Sequence, residues 1–278
     1  MNKIEILEIV RIAREAGTLI MEVYAKSEGI VIDRKADNSP LTEADTLANA
    51  HIVKELKRLY PTIPIISEEE KLRPYAERKE WETCWEVDPL DGTKEFINRN
   101  GEFTVNIALL KNGKPVAGVI YAPVPELTAW AEESQGAWQT KGEKNWRAFQ
   151  QGSSKPTRLQ SRIPAPGEKI KILASRSHGS PEMQTYLGRF TDPEIRNAGS
   201  SLKFLLIASG EAHLYPRLAP TMEWDTSAGQ AILSEAGGEI LVEPEEVTLR
   251  YNRENLLNPH FIAYAAGLKK VLKNYIKA

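Results

Sequence analysis

Two aspartates three positions apart, Asp88 and Asp91, lie in the string W-E-V-D-P-L-D-G-T-K-E-F-I-N-R-N-G-E-F-T-V-N-I-A-L-L, which runs from Trp85 to Leu110. Alternating Trp85 and Val87 predict a strand. Pro89 has no N–H for a ladder and predicts the end of that strand near Asp88. Pro89 and Gly92 then confine both carboxylates to one tight turn. Carboxylates held so close repel each other unless a cation lies between them, and hard oxygen ligands suit Mg2+. Gly92 leaves room for a phosphate to approach the backbone, and Thr93 presents a hydroxyl beside the candidate metal position. The competing reading is a solvated surface turn, since Asp-Gly is a common turn dipeptide. Against it, the turn lies between two apolar strand-like runs, at the kind of strand end where sites are built.

Further candidates are dispersed along the chain, each with a structural alternative. Thr42 reads as the N-cap of a helix, with Asp45 at its third position in a capping-box variant. Three acids, Glu68, Glu69 and Glu70, follow the apolar run Pro64-Ile65-Ile66; such a run is a solvated edge unless the end of a strand turns one acid into a cleft. Gly199-Ser200-Ser201-Leu202-Lys203 opens a helix, either as a plain serine cap or as an anion site built from backbone N–H groups. Asp225 precedes Ala228, Ala231, Ile232 and Leu233 and reads as a helix N-cap, with Arg217 shortly before it.

The elements that must position these residues follow from periodicity. A helix is predicted from about Ile4 to Tyr24, with Ile6, Ile9, Val10, Ala13, Ala16 and Ile20 on one face. A short strand is predicted over residues 29–33, a loop over 36–40, and a second helix after Thr42. Residues 71–82 are charged and lack an apolar period, which predicts a mobile loop or lid at the site entrance. Strands are predicted over 103–110 and 116–124, joined by a hairpin at Asn112-Gly113, and then near 128–130 and 136–138. Residues 141–166 are polar and proline-containing, and read as a transition between two halves: 1–150, with most metal ligands, and a tightly packed 151–278. The second half alternates strands at 169–174, 195–198, 213–215 and 239–242 with helices, the last of which ends at Gly237-Gly238. A short basic surface helix is predicted over 269–278. The alternation predicts an α/β or α+β protein.

Bulk properties narrow the function classes. The 278-residue chain carries 36 basic and 38 acidic residues, a net charge of −2, so no general nucleic-acid-binding surface is expected. Cys84 is the only cysteine; an intrachain disulfide is excluded, and a reducing compartment fits. One cysteine and four scattered histidines make a poor structural zinc set. No apolar run approaches the roughly 20 residues of a membrane span, and the amphipathic N-terminal helix has no signal-peptide core.

D-P-L-D-G-T resembles the central motif of the lithium-sensitive, Mg2+-dependent phosphatase family that contains inositol monophosphatases and 3′(2′),5′-bisphosphate nucleotidases. K-A-D-N-S-P-L-T-E-A-D, S-E-E and W-D-T-S-A-G resemble its other motifs. K-E-F-I-N-R-N-G-E-F-T-V-N-I-A-L-L and G-S-S-L-K-F resemble the bacterial nucleotidase branch tied to sulfate assimilation; many inositol monophosphatases have Thr where this chain has Lys94. The resemblance spans nearly the whole chain. It implies the layered αβαβα sandwich of the inositol monophosphatase and fructose-1,6-bisphosphatase (sugar phosphatase) type. It implies that Glu68, Asp88, Asp91, Asp225 and the Leu90 carbonyl hold two or three Mg2+ ions. Thr93, with Glu68 or Asp45, would activate water, and Gly92 and Thr93 N–H groups would hold phosphate. Ser200, Lys203 or Arg217 would meet a 5′-phosphate, and His178 would lie near the nucleoside. The implied reaction is hydrolysis of 3′-phosphoadenosine 5′-phosphate to AMP and phosphate, by a monomer or homodimer that is cytoplasmic or peripheral on the inner membrane face. The alternatives are an inositol monophosphatase with the same metal chemistry and an inactive nucleotide-binding sensor.

Overall fold

Apolar residues at helical spacing fold the first helix, α1 (Ile6–Tyr24), with Ile9, Val10, Ala13, Ala16 and Ile20 buried. The computed structural model describes residues 4–26, 32–34, 40–174 and 180–277. Strands β1 (Ile32–Arg34) and β2 (Pro40–Thr42) form a small antiparallel pair. The first part of the strand expected at 29–33, and most of the loop after it, lie outside the described residues. Helix α2 (Glu43–Leu59) follows.

A seven-stranded sheet comes next, in chain order across the sheet. Its strands are β3 (Ile65–Ser67), β4 (Thr83–Asp91), β5 (Thr104–Lys111), β6 (Lys114–Ala122), β7 (Leu127–Glu132), β8 (Gly136–Lys141) and β9 (Thr157–Leu159). Only β3–β4 is parallel; the remaining neighbours are antiparallel. Inserted helices are α3 (Tyr75–Arg78), α4 (Thr93–Ile97) and α5 (Glu143–Gln150). The hairpin at Asn112-Gly113 is present, with φ of 49° and 69° at its two residues. That pair of positive values suits the right-handed twist of the flanking strands.

Strand alternation divides this sheet between two cores. Trp85, Val87, Val105, Ile107, Leu109 and Val119 face α1 and α2. Cys84, Ala108, Leu110, Ile120, Ala129 and Ala131 face the second half of the chain. Against that face lie α7 (Leu202–Ala208) and α8 (Ser227–Glu235). Gly118 on β6 permits the approach of α8: a Cβ there would stand 2.7 Å from Ala228 O and 2.9 Å from Ala231 Cβ.

The second sheet has the order β11-β10-β12-β14-β13. Its strands are β10 (Lys171–Ala174), β11 (Glu194–Asn197), β12 (Leu214–Arg217), β13 (Glu239–Val242) and β14 (Phe261–Tyr264). Helices α6 (Pro181–Gly188) and α9 (Leu268–Val271) add Tyr186, Leu187 and Leu268 to the same apolar core. The layers are those of an αβαβα sandwich.

Two expectations change. Residues 141–166 are not a plain transition, because they contain α5 and β9, and β9 extends the first sheet past residue 150. The cause is aromatic burial: Trp146 and Phe149 of α5 pack on Trp130, at ring-centre distances of 6.4 and 5.6 Å. Residues 71–82 are also anchored rather than open. Arg78 is buried and donates to Asn252 Oδ1 (2.8 Å), Arg253 O (3.1 Å) and Glu254 O (3.2 Å).

Candidate active site and metal centre

The central motif begins inside a strand, not after one. Strand β4 continues through Pro89 to Asp91, which corrects the expected stop near Asp88. Its pairing with β5 runs in step to Asp88↔Asn106 and then slips to Asp91↔Thr104, so β4 carries one extra residue there. Pro89 falls in this bulge, where a ladder N–H is not required. The bulge has a chemical consequence. In a regular strand, residues three apart point to opposite faces; the extra residue brings Asp88 and Asp91 to the same side.

Asp225 joins them from the second half. Carboxylate oxygens of Asp88, Asp91 and Asp225 all lie within 4.8 Å of one another. Asp225 ends a 3-10 turn (Glu223–Asp225) and accepts from Met222 N at 2.8 Å. It is therefore not the expected N-cap of α8, whose cap position is Thr226. Each aspartate has one oxygen tied down. Asp88 Oδ1 accepts from Leu90 N (3.0 Å), and Asp91 Oδ2 accepts from the Ser201 hydroxyl (2.9 Å). Thr104 and Asn106 approach that same Asp91 oxygen at 3.4 Å.

The crowding has an electrostatic signature. Burial, followed by the charges of Glu68, Asp91 and Asp225, pushes the Asp88 carboxyl well above its ordinary value. Loss of hydration, then Asp91 and Glu68, pushes Asp225 up to about 7. Glu68 follows β3, its N–H bonded to Val87 O at 3.2 Å, and stands beside the aspartate trio rather than within it. Its neighbour Glu70 accepts from Asn49 Nδ2 (2.9 Å), while Asn49 Oδ1 accepts from Ser67.

Asp45 serves as a cap and also reaches the site. Its Oδ2 accepts from Thr42 N (2.8 Å) and the Thr42 hydroxyl (2.6 Å), and its Oδ1 faces the Thr93 hydroxyl at 3.3 Å. The same hydroxyl lies 3.4 Å from Leu90 O. Gly92, at φ 93°, turns the chain into α4; a Cβ there would sit 2.2 Å from Ser200 Oγ. Left-handed backbone and lack of space together require glycine.

The start of α7 departs from the expected open anion site. Gly199 N donates to Glu102 Oε2 (2.8 Å), and the Ser200 hydroxyl faces Asp91 O (2.7 Å) and Glu102 O (2.8 Å). These internal acceptors already fill Gly199 N and the hydroxyl of Ser200. Lys203 is buried, donates to Ser200 O (2.8 Å) and Ala198 O (3.2 Å), and lies over the Tyr215 ring. Arg217 is half-buried and donates to Pro220 O at 2.6 Å. A cavity of about 130 Å³ brings Asp91, Gly92 and Asp225 together with Lys203, Tyr215 and Arg217. His178 lies outside the described residues.

Sequence reasoning missed a second buried acidic pair behind the first. Glu86 and Glu223 are 1% and 0% exposed, and burial pushes both carboxyls up. Each precedes a site aspartate by two residues. Glu223 accepts from Asn252 N (2.5 Å) and Arg253 Nε (2.8 Å). The alternation in W-E-V-D places Glu86 on the face of Asp88, and this was the available signal. Cys84, nearby, is buried with its thiol pushed up, so it is inert.

A model of the inositol monophosphatase family matches residues 3–273. The chain belongs to that family. It is 43% identical, over 91% of its length and 97% of the relative's, to the 3′(2′),5′-bisphosphate nucleotidase CysQ of Salmonella typhimurium. The protein of the same name from Escherichia coli K12 is 42% identical over the same shares. Among solved structures, CysQ from Bacteroides thetaiotaomicron superposes with a TM-score of 0.81 at 45% identity, covering 93% of this chain and 96% of that one. An IMPase of Thermotoga maritima shares the fold at 21% identity, with a TM-score of 0.75, covering 96% and 94%. No described helix is long and apolar enough to cross a membrane.

Proposed function

We propose that this chain is a Mg2+-dependent 3′(2′),5′-bisphosphate nucleotidase that hydrolyses 3′-phosphoadenosine 5′-phosphate to AMP and phosphate. The observation that carries this is the trio Asp88, Asp91 and Asp225 converging within 4.8 Å, with Asp91 and Asp225 lining a cavity of about 130 Å³. The nucleotide part rests on the names of relatives that are 42% and 43% identical over 91% of the chain.

The donor set fits the ion. All the groups are hard oxygens, and the burial and mutual repulsion that raise the Asp88 and Asp225 carboxyls are what a bound cation offsets. Asp88, Asp91, Asp225, Glu68 and the Leu90 carbonyl would hold Mg2+. The chemistry that the ions supply when bound is a more acidic water and neutralisation of charge on the attacking and leaving oxygens.

The chain's own groups do the rest. Thr93 points its proton at Asp45 Oδ1 and offers its lone pairs to the attacking water, orienting it for in-line approach. Asp45 or Glu68 takes the proton. Gly92 and Thr93 N–H groups hold phosphate oxygens as charge builds on them. Arg217 and Lys203 would supply positive charge to a second phosphate, with Ser200 at the cavity wall; contact of His178 with the nucleoside is part of the same proposal.

The test is phosphate release from 3′-phosphoadenosine 5′-phosphate with Mg2+ and with EDTA, with the nucleotide product identified. Release only with Mg2+, leaving AMP, is expected. Binding without turnover in either condition would make the chain a nucleotide sensor instead.

A further inference from the structure

The Ser201 hydroxyl lies 2.9 Å from Asp91 Oδ2 and 2.9 Å from Asp225 O. It also receives a hydrogen bond from Asn106 Nδ2 at 2.8 Å. It is 1% exposed. Its sequence context marked it only as part of a helix opening, yet it contacts both Asp91 and Asp225.

A serine hydroxyl has one proton. Here two acceptors compete for it, and Asn106 occupies a lone pair. The charged Asp91 carboxylate is the stronger acceptor; a cation bound there would weaken it and release the proton toward the Asp225 carbonyl. Either way the hydroxyl bridges the β4 bulge to the 3-10 turn that ends at Asp225. Its own backbone is steadied by α7, whose Phe204, Leu205 and Ile207 are buried. Among the described residues no hydrogen bond engages Asp91 Oδ1. The oxygen that Ser201 does not hold is thus available to a metal.

We propose that Ser201 is a positioning residue, which holds Asp91 and Asp225 at the separation needed to share a cation. This rests on the metal reading of the trio given above. Groups of this kind typically alter metal affinity by about 10- to 100-fold when removed.

The test is calorimetric Mg2+ titration of metal-stripped wild type and of the variants Ser201→Ala, Ser201→Thr and Asn106→Ala, with thermal melting as a check of the fold. Ser201→Ala is expected to weaken Mg2+ binding by about 10- to 100-fold. The Mg2+ concentration for half-maximal turnover should rise in parallel, while the nucleotide KM at saturating Mg2+ changes by less than about threefold. Ser201→Thr keeps the hydroxyl and should bind like wild type. Asn106→Ala removes the hydroxyl's orienting donor and a 3.4 Å approach to Asp91 Oδ2, and should weaken Mg2+ binding by less than Ser201→Ala does. Should the threonine variant fail to fold, the graded order of wild type, Asn106→Ala and Ser201→Ala decides. Unchanged Mg2+ affinity in Ser201→Ala, even with a lowered melting temperature, would reduce Ser201 to a packing role and overturn the proposal. Absence of Mg2+ binding in wild type would remove the metal reading itself, and this inference with it.

Discussion

The carboxyl groups of Asp88, Asp91 and Asp225 are held together by the fold against their own repulsion, and two tests follow at that scale. Asp91→Asn keeps the side-chain volume and removes a charge. Turnover is expected to fall by at least about two decades, because metal clamps offset several kcal/mol of transition-state charge. Folding should survive, since one source of crowding is gone; near-normal turnover at saturating Mg2+ would rule out the ligand role. The second test uses pH. Asp225 has a folded-state value of about 7, above its ordinary 3.8. Its protonated form therefore favours the metal-free fold, a contribution present below the ordinary value and lost as pH rises through about 7. Mg2+ needs the ionised form. The rise in melting temperature on adding Mg2+ should be larger near about pH 8 than near about pH 6. Burial pushes His213 down to about 4, which costs stability at acid pH with or without metal, so the difference isolates the carboxylates. An equal Mg2+ effect at both pH values would contradict the carboxylate site. Asp88 and Asp91 were legible because turn residues flank them in the chain, whereas Asp225 read only as a helix cap until the family resemblance gave it a metal role. Ser201 was not legible: a hydroxyl 110 residues from Asp91 carries no local sign of which acid it will meet.

Elements were legible where one period dominated, as in α1 and the β5–β6 hairpin. They were misread where a local rule met a tertiary exception. Pro89 truncated β4 on paper, yet a bulge accommodates it and thereby aligns Asp88 with Asp91. The polar composition of 143–150 concealed a Trp146–Phe149 pair that packs on Trp130, edge-on and stacked respectively. The loop before β4 looked free, but Arg78 secures it to 252–254. One contact between elements is open to direct test. Gly118→Val would push side-chain atoms into Ala228 and Ala231, where even a Cβ stands within 3 Å. Overpacking of this kind destabilises by about 1–3 kcal/mol, read as a lower urea midpoint at an unchanged slope. Because α8 follows directly on the Asp225 turn, activity should decline as well. An unaltered midpoint would show that the β6–α8 contact yields at little cost.

The molecule as a whole carries a net charge of only −2, so it does not attract anions from a distance. Recognition must arise locally, from bound metal and from the cavity wall that carries Lys203 and Arg217. The αβαβα layering is what brings residues 88–93 of the first sheet and 199–225 of the second half to one place. Periodicity could indicate strands and helices but not their layering, which came only with the family resemblance. The family accommodates more than one phosphate ester, and substrate choice is therefore the claim most in need of measurement. The decisive quantity is kcat/KM for 3′-phosphoadenosine 5′-phosphate divided by kcat/KM for inositol 1-phosphate, both at saturating Mg2+. A site that uses its cationic wall to hold a second phosphate should favour the nucleotide by at least about 100-fold. A ratio at or below one would contradict the nucleotidase assignment and leave an inositol phosphatase built on the same carboxylates.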